Sequence, residues 1–118
     1  MIYTSYFSSK KYKKEDGISI ARYTKFWDGE SYSLLYPSAD LLTWWKSIPK
    51  EAAKEDWFTE QYEQAYFKET LELLNPHIVA AELDGKVLLC YEKSEDFCHR
   101  HLVANWLLSN GIKCEEIE

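Results

Sequence analysis

The hydrophobic positions along the chain fall into short runs that predict strands. Residues 2–7 and 18–22 are rich in β-branched and aromatic side chains and are separated by a polar loop, which is typical of two strands. Residues 86–92 are apolar on both faces, as expected of a central strand that is covered on each side. Residues 112–117 predict a last strand at an edge of the sheet.

Apolar residues at helical spacing occupy most of the remaining chain. A short helix that begins at Ser38 or Asp40 ends before Pro49, and a longer helix runs over residues 54–74. Residues 77–83 predict one more helical turn. The last helix precedes a turn-forming Asn-Gly pair and has a core face made of Leu102, Val103, Trp106 and Leu107.

Residues 23–37 follow neither pattern. Aromatic residues are mixed with turn-forming residues there, which favours a long loop packed by its own side chains. We therefore expect one α/β domain, residues 1–118, in three layers, with a small, mostly parallel sheet and helices on both faces.

Charge and composition narrow the choice of partners. The formal net charge of −6 opposes nucleic acid as a partner, and the only basic run lies at residues 10–14. No apolar stretch reaches the roughly 18 residues that span a bilayer, so we expect no membrane partner. The first residues resemble a strand more than a signal peptide, and the odd number of cysteines, three, favours reduced thiols. Together these features predict a cytoplasmic protein.

The candidate chemistry lies where the apolar strand is followed by the last helix. Ligands of open α/β sheets collect at the carboxyl ends of strands, and a helix N-terminus favours an anion, to which Arg100 adds a charged contact. With Ser94 or Asp96 as the N-cap, Cys98 and His99 fall in the first turn, where the pKa of a thiol is lowered.

Each of these side chains also has a purely structural interpretation. Cys90 and Cys98 fit small buried hydrophobic residues, and His99 fits a hydrogen-bonded interior histidine. Arg100 fits an exposed position on the helix surface. Their adjacency at a strand end is what favours a functional site.

The chain resembles a family catalogued as domain of unknown function 488. The likeness rests on LLCYEK at residues 88–93 and FCHRHL at residues 97–102. It extends to the opening IYTSYFSSKKY at residues 2–12, to a strand that ends in Arg22, and to YPS at residues 36–38.

This resemblance implies a compact α/β fold and a set of motif positions, but no substrate or reaction. The motif positions in this chain are Cys90, Cys98, His99 and Arg100. By the same likeness, the neighbouring strand ends carry Tyr6, Ser8 and Arg22.

Our leading hypothesis is a pocket for a small anionic, nucleotide-like ligand with aromatic walls from residues 23–37. Cys98 as nucleophile and His99 as acid or base are the candidate catalytic residues. No paired carboxylates or Ser-His-Asp set selects a reaction, so whether the chain is an enzyme stays open, and the sequence identifies no cofactor. The candidate ligand-binding residues are Arg100, Arg22, Cys90, Tyr6, Ser8, Ser9 and Lys10.

Two other classes of function remain as alternatives. Cys90, Cys98, His99 and His101 offer zinc ligands, but successive residues of a helical turn point about 100° apart, which opposes a shared ion. We therefore assign no metal ligands. The other class is a protein-interaction module of the accessory or phage type, in which exposed aromatics dock a protein partner or a second copy of the chain. Trp27 and Tyr32 are its candidate docking residues.

Overall fold

Five parallel strands form one sheet in a computed structural model that describes residues 1–92 and 96–117. The strands are β1 (Ile2–Tyr6), β2 (Gly17–Ser19), β3 (Glu30–Ser31), β4 (Val87–Cys90) and β5 (Cys114–Glu116). Their order in the sheet is β3-β2-β4-β1-β5, and each neighbouring pair is parallel. The predicted α/β class and parallel sheet are confirmed, and the wholly buried β4 is the central strand.

The described residues also contain four α-helices, which are α1 (Ala39–Ser47), α2 (Asp56–Glu69), α3 (Pro76–Leu83) and α4 (His99–Ser109). Ser38 caps α1, because its side chain accepts a hydrogen bond from the backbone N–H of Leu41. The helix predicted over residues 54–74 is shorter, since Thr70 leaves the helical conformation and a separate 3₁₀ turn follows at Leu71–Leu73. Within the described ranges no helix is long and apolar enough to cross a membrane.

Residues 23–37 are more regular than the predicted loop. They contain β3 and a 3₁₀ turn at Ser33–Leu35. The strand was missed because it has only two residues, Glu30 and Ser31, and both are exposed, so no apolar alternation marks it.

One face of the sheet packs against the α-helices. Ile2, Ile18 and Leu88 lie on this face and are almost fully buried. The same hydrophobic cluster contains side chains from every helix named above, namely Leu41, Tyr62, Tyr66, Val79, Leu83, Val103 and Leu107.

The other face is covered by the segments that join β1 to β2 and β2 to β3. A Cβ atom on Gly17 would lie 2.8 Å from the Leu89 side chain, 3.0 Å from the Trp27 ring and 3.2 Å from the Tyr12 ring. Gly17 therefore allows these aromatic rings to approach the strand closely. The layer on this face includes a short 3₁₀ helix, Lys14–Asp16, in place of a full α-helix.

A buried arginine ties the first turn of α4 to the sheet. Arg100 is fully buried, and its Nε and Nη2 donate to the two carboxylate oxygens of Glu116 at 3.1 and 2.9 Å. Nη1 donates to the carbonyl oxygen of Glu92 (2.6 Å) and to Sγ of Cys90 (3.1 Å). The guanidinium also lies 5.9 Å from the ring centroid of Tyr6. Arg100 is thus an interior residue and not an exposed side chain of the helix surface.

We expect Arg100→Ala to lower the free energy of unfolding by about 3–5 kcal/mol, because it takes the charged partner away from a largely buried carboxylate. Arg22→Ala is the matched control, since Arg22 is exposed, and it should cost about 1 kcal/mol or less. Urea unfolding followed by circular dichroism measures both. Equal losses for the two variants would show that the Arg100 network does not stabilise the fold.

Candidate functional site

A cavity of about 650 Å³ opens at the carboxyl ends of β2 and β4. Its walls come from the residues after β2, from the end of β4, from α1 and α2, and from the start of α4. Four of the residues that the sequence marks as site residues line it, and these are Arg22, Cys90, Cys98 and His99.

The charged side chains of the cavity are mainly cationic. Among the described residues its lining contains Arg22, Lys46 and Lys50, against the single carboxylate of Glu92. Nε of Arg22 donates to the Pro37 carbonyl oxygen (2.9 Å), whereas neither terminal nitrogen of its guanidinium has a hydrogen-bond partner in the described chain. The cavity is therefore a cationic site in a protein with a formal net charge of −6.

Sequence reasoning missed Lys46 and Lys50. Lys46 lies in the last turn of α1, and Lys50 lies just beyond that helix. Exposed lysines are common at helix C-termini, where they favour the helix dipole, so no sequence signal sets these two apart. Only the packing of α1 beside the end of β2 brings them to the same cavity as Arg22.

Aromatic rings form much of the remaining wall. Trp45, Tyr62 and Phe97 contact one another, with ring centroids 5.1 to 5.2 Å apart. Tyr23 stands at the exposed side, where Nζ of Lys46 lies 5.6 Å from its ring centroid. Burial raises the pKa of Tyr62 well above its usual value, so its hydroxyl is neutral at physiological pH.

Two cysteines and a histidine meet at the inner end of the cavity. Cys90 is the last residue of β4, and His99 is the first residue of α4. Cys98 precedes the helix as its N-cap residue, in an extended conformation with φ −152° and ψ 148°. Their Sγ and imidazole nitrogen atoms all lie within 4.8 Å of one another. The structure joins Cys90 and Cys98 in a disulfide and, within the described residues, leaves Cys114 as a free cysteine, so the expectation of reduced thiols is wrong for this pair.

The N-cap expected at Ser94 or Asp96 was wrong. Cys98 occupies that position, so it does not belong to the first helical turn. Ser94 itself lies outside the described residues, and Asp96 is exposed and precedes the helix by three residues. As a result, the Cys98 and His99 side chains are not related by helical geometry. The divergence of about 100° between successive helical residues, which opposed a shared ion, therefore does not apply to this pair.

The tautomer of His99 follows from its backbone contact. One ring nitrogen, Nε2, lies 2.6 Å from the carbonyl oxygen of Ile20, which can only accept a hydrogen bond. Nε2 therefore carries the proton, and the lone pair of Nδ1 faces the Cys98 Sγ atom at 3.8 Å. Burial lowers the pKa of His99 to about 4, so the imidazole is neutral at physiological pH.

The structure does not bring the remaining predicted site residues into this cavity. Arg100 points to the β5 side, where Glu116 binds its guanidinium, and Tyr6 packs against the same guanidinium. Ser8 and Lys10 are exposed in the loop after β1, and Ser9 accepts a hydrogen bond from the backbone N–H of Lys11. All five lie outside the cavity lining.

The buried neutral His99 predicts an acid-sensitive fold. The unfolded chain takes up a proton at about pH 6.5, whereas the folded protein resists it until the pH approaches about 4. The free energy of unfolding should therefore fall as the pH falls through this window, by up to about 1.4 kcal/mol per pH unit from His99. Urea unfolding with EDTA present should give a steeper pH dependence for the wild type than for His99→Gln, and equal slopes would contradict the assignment.

Comparison with known proteins identifies the family of this chain. Neither the curated proteins nor the solved structures contain a significant match to this chain. A family model named DUF488-N3a and described as the active DUF488-N3 subclade matches residues 2–111, which covers all the cavity residues named above. The chain therefore belongs to the DUF488-N3a family.

Proposed function

We propose that this protein binds a small anionic ligand with an aromatic group, of the nucleotide class, in the cavity at the ends of β2 and β4. The observation that carries the proposal is the pairing of Arg22, Lys46 and Lys50 with a wall of aromatic rings in one cavity. Proteins commonly bind nucleotides by combining charged contacts to the phosphate with aromatic stacking on the base.

The charge distribution supports an anion over a cation or a neutral ligand. Within the described residues, three cationic side chains line the cavity, and neither Lys46 nor Lys50 forms an ion pair. The one acidic side chain of the described lining is Glu92, whose pKa is raised by burial. The N-terminus of α4 begins at the same cavity, and the helix dipole adds positive potential there.

The size and the aromatic wall support a ligand larger than a bare phosphate. A cavity of about 650 Å³ lies within the range of small-molecule sites, roughly 300–1,000 Å³. Tyr23 and Trp45 line the cavity and supply aromatic surface for a planar group, while the terminal nitrogens of Arg22 are available to an anion. These features together fit a nucleoside monophosphate.

The proposal does not require catalysis by Cys98 and His99, which stays a prediction from the sequence. An imidazole whose pKa is lowered to about 4 is a weak base at neutral pH. The Cys98 sulfur is bonded to the Cys90 sulfur in the structure, so it is not a free nucleophile there. Ligand binding is the function that the geometry supports best.

The contacts of the two candidate docking aromatics favour the cavity over an interaction module. Trp27 is half-buried and donates through Nε1 to the Glu30 carbonyl oxygen at 2.8 Å. Tyr32 is also half-buried, and its hydroxyl donates to the Glu82 carboxylate at 3.1 Å. Both rings therefore stabilise the fold itself.

We expect Arg22→Ala and Lys46→Ala each to weaken AMP binding about 10-fold or more, because each removes a charged contact to the phosphate. Isothermal titration calorimetry with AMP measures the change. Lys68→Ala is the matched control, since it removes the same charge from an exposed position outside the cavity, and it should leave the affinity unchanged. Adenosine binding as tightly as AMP, or an equal effect of Lys68→Ala, would contradict the proposal.

The aromatic wall should distinguish AMP from inorganic phosphate. We expect Tyr23→Leu to weaken AMP binding several-fold, because a base loses a stacking surface worth about 1–3 kcal/mol. Phosphate binding should not change, because Leu leaves the cationic groups in place. Competition of phosphate against a fluorescent AMP analogue measures both affinities. A variant that binds AMP as well as the wild type would exclude stacking on Tyr23.

A further inference from the structure

The inner end of the cavity holds a compact set of metal-binding atoms. Cys90, Cys98 and His99 are all buried, and their Sγ and imidazole nitrogen atoms lie within 4.8 Å of one another. Zinc accepts two thiolates and one imidazole, and its ligand atoms in a tetrahedral site are about 3.5–3.8 Å apart. The distance of 3.8 Å from Cys98 Sγ to His99 Nδ1 fits that spacing.

Hydrogen bonds from neighbouring groups orient these residues for metal binding. A metal-binding histidine usually donates its other N–H to a carbonyl or carboxylate group, and His99 Nε2 donates to the Ile20 carbonyl oxygen at 2.6 Å. That contact fixes the Nδ1 lone pair towards the sulfur atoms. Nη1 of Arg100 donates to Sγ of Cys90 at 3.1 Å, so a charged hydrogen-bond donor already faces one of the two sulfur atoms.

The backbone spacing also suits an ion between the two cysteines. Their Cα atoms are 7.3 Å apart, whereas disulfide-bonded cysteines usually have Cα atoms about 4.4–6.8 Å apart. The structure joins the two Sγ atoms in a disulfide, so a metal ion can bind only to the reduced form of the same pair. Once the pair is reduced, zinc binding requires the two side chains to rotate until their sulfur atoms reach the spacing of zinc ligands.

We propose that Cys90, Cys98 and His99 bind a Zn²⁺ ion, with the fourth coordination position open to the cavity. All three residues line that cavity, and three protein ligands with an open position are typical of catalytic rather than structural zinc. His101 is not part of this group, and its half-buried side chain lies outside the cavity lining. The zinc site does not depend on the proposed nucleotide ligand, because none of its ligands is one of the three cationic residues.

Metal content of the full-length protein tests the site. The protein is expressed with added zinc, purified under reducing conditions without chelators, and analysed by inductively coupled plasma mass spectrometry. We expect one zinc ion per chain for the wild type, and loss of most of it in Cys98→Ser and in His99→Gln. Cys114→Ser is the matched control, because Cys114 is a buried cysteine on β5 that lies outside the cluster, and it should keep its zinc.

Cobalt provides a readout that does not rely on the variants folding. Co²⁺ added to the zinc-free wild type should give a thiolate-to-cobalt charge-transfer band and the strong visible bands of a tetrahedral site. Zinc at background level with no cobalt spectrum in the folded, reduced protein would overturn the proposal. A mass lower by two hydrogens, with two thiols missing under the same reducing conditions, would also overturn it in favour of a stable disulfide. Each of these results leaves the AMP titrations of Arg22→Ala and Lys46→Ala unaffected, so the two proposals fail separately.

Discussion

The ion pair between Arg100 and Glu116 is the contact that holds the start of α4 against the sheet. A fully buried guanidinium is tolerated only where its donors are used, and those of Arg100 reach Glu116, the Glu92 carbonyl oxygen and the Cys90 sulfur. One side chain thus connects α4 to β5 and to the end of β4. These contacts set where the helix begins, and therefore where Cys98 and His99 lie.

The cavity follows from the same arrangement. With α4 fixed beside β4, Cys90, Cys98 and His99 form its inner end, while α1 and the residues after β2 bring cationic and aromatic side chains to its outer side. The two proposals use different parts of this space. The anion is assigned to the outer cations, and the metal to the inner sulfur and nitrogen atoms, so a ligand in the cavity would lie beside the open position of the ion.

The sequence predicted the general class of the fold and the edge of the sheet at which the cavity lies, because both depend on local patterns. The apolar β4, the Ser38 cap and the strand-to-helix turn each leave a signal in a few neighbouring residues. The role of Arg100 could not be predicted this way, since its partner Glu116 lies 16 residues further along the chain and on a different element. Lys46 likewise lines the cavity only because α1 packs beside the end of β2. The extended backbone of Cys98 could not be predicted either, because it depends on the start of α4 at His99.

A crystal structure of the protein with AMP is the most direct test of the anion site. We expect the phosphate to lie within hydrogen-bond distance of the terminal nitrogens of Arg22 and the Nζ atom of Lys46, with the base against Tyr23 or Trp45. AMP bound elsewhere, for example at the lysine run of residues 10–14, or a cavity that stays free of ligand in crystals grown at saturating AMP, would contradict it.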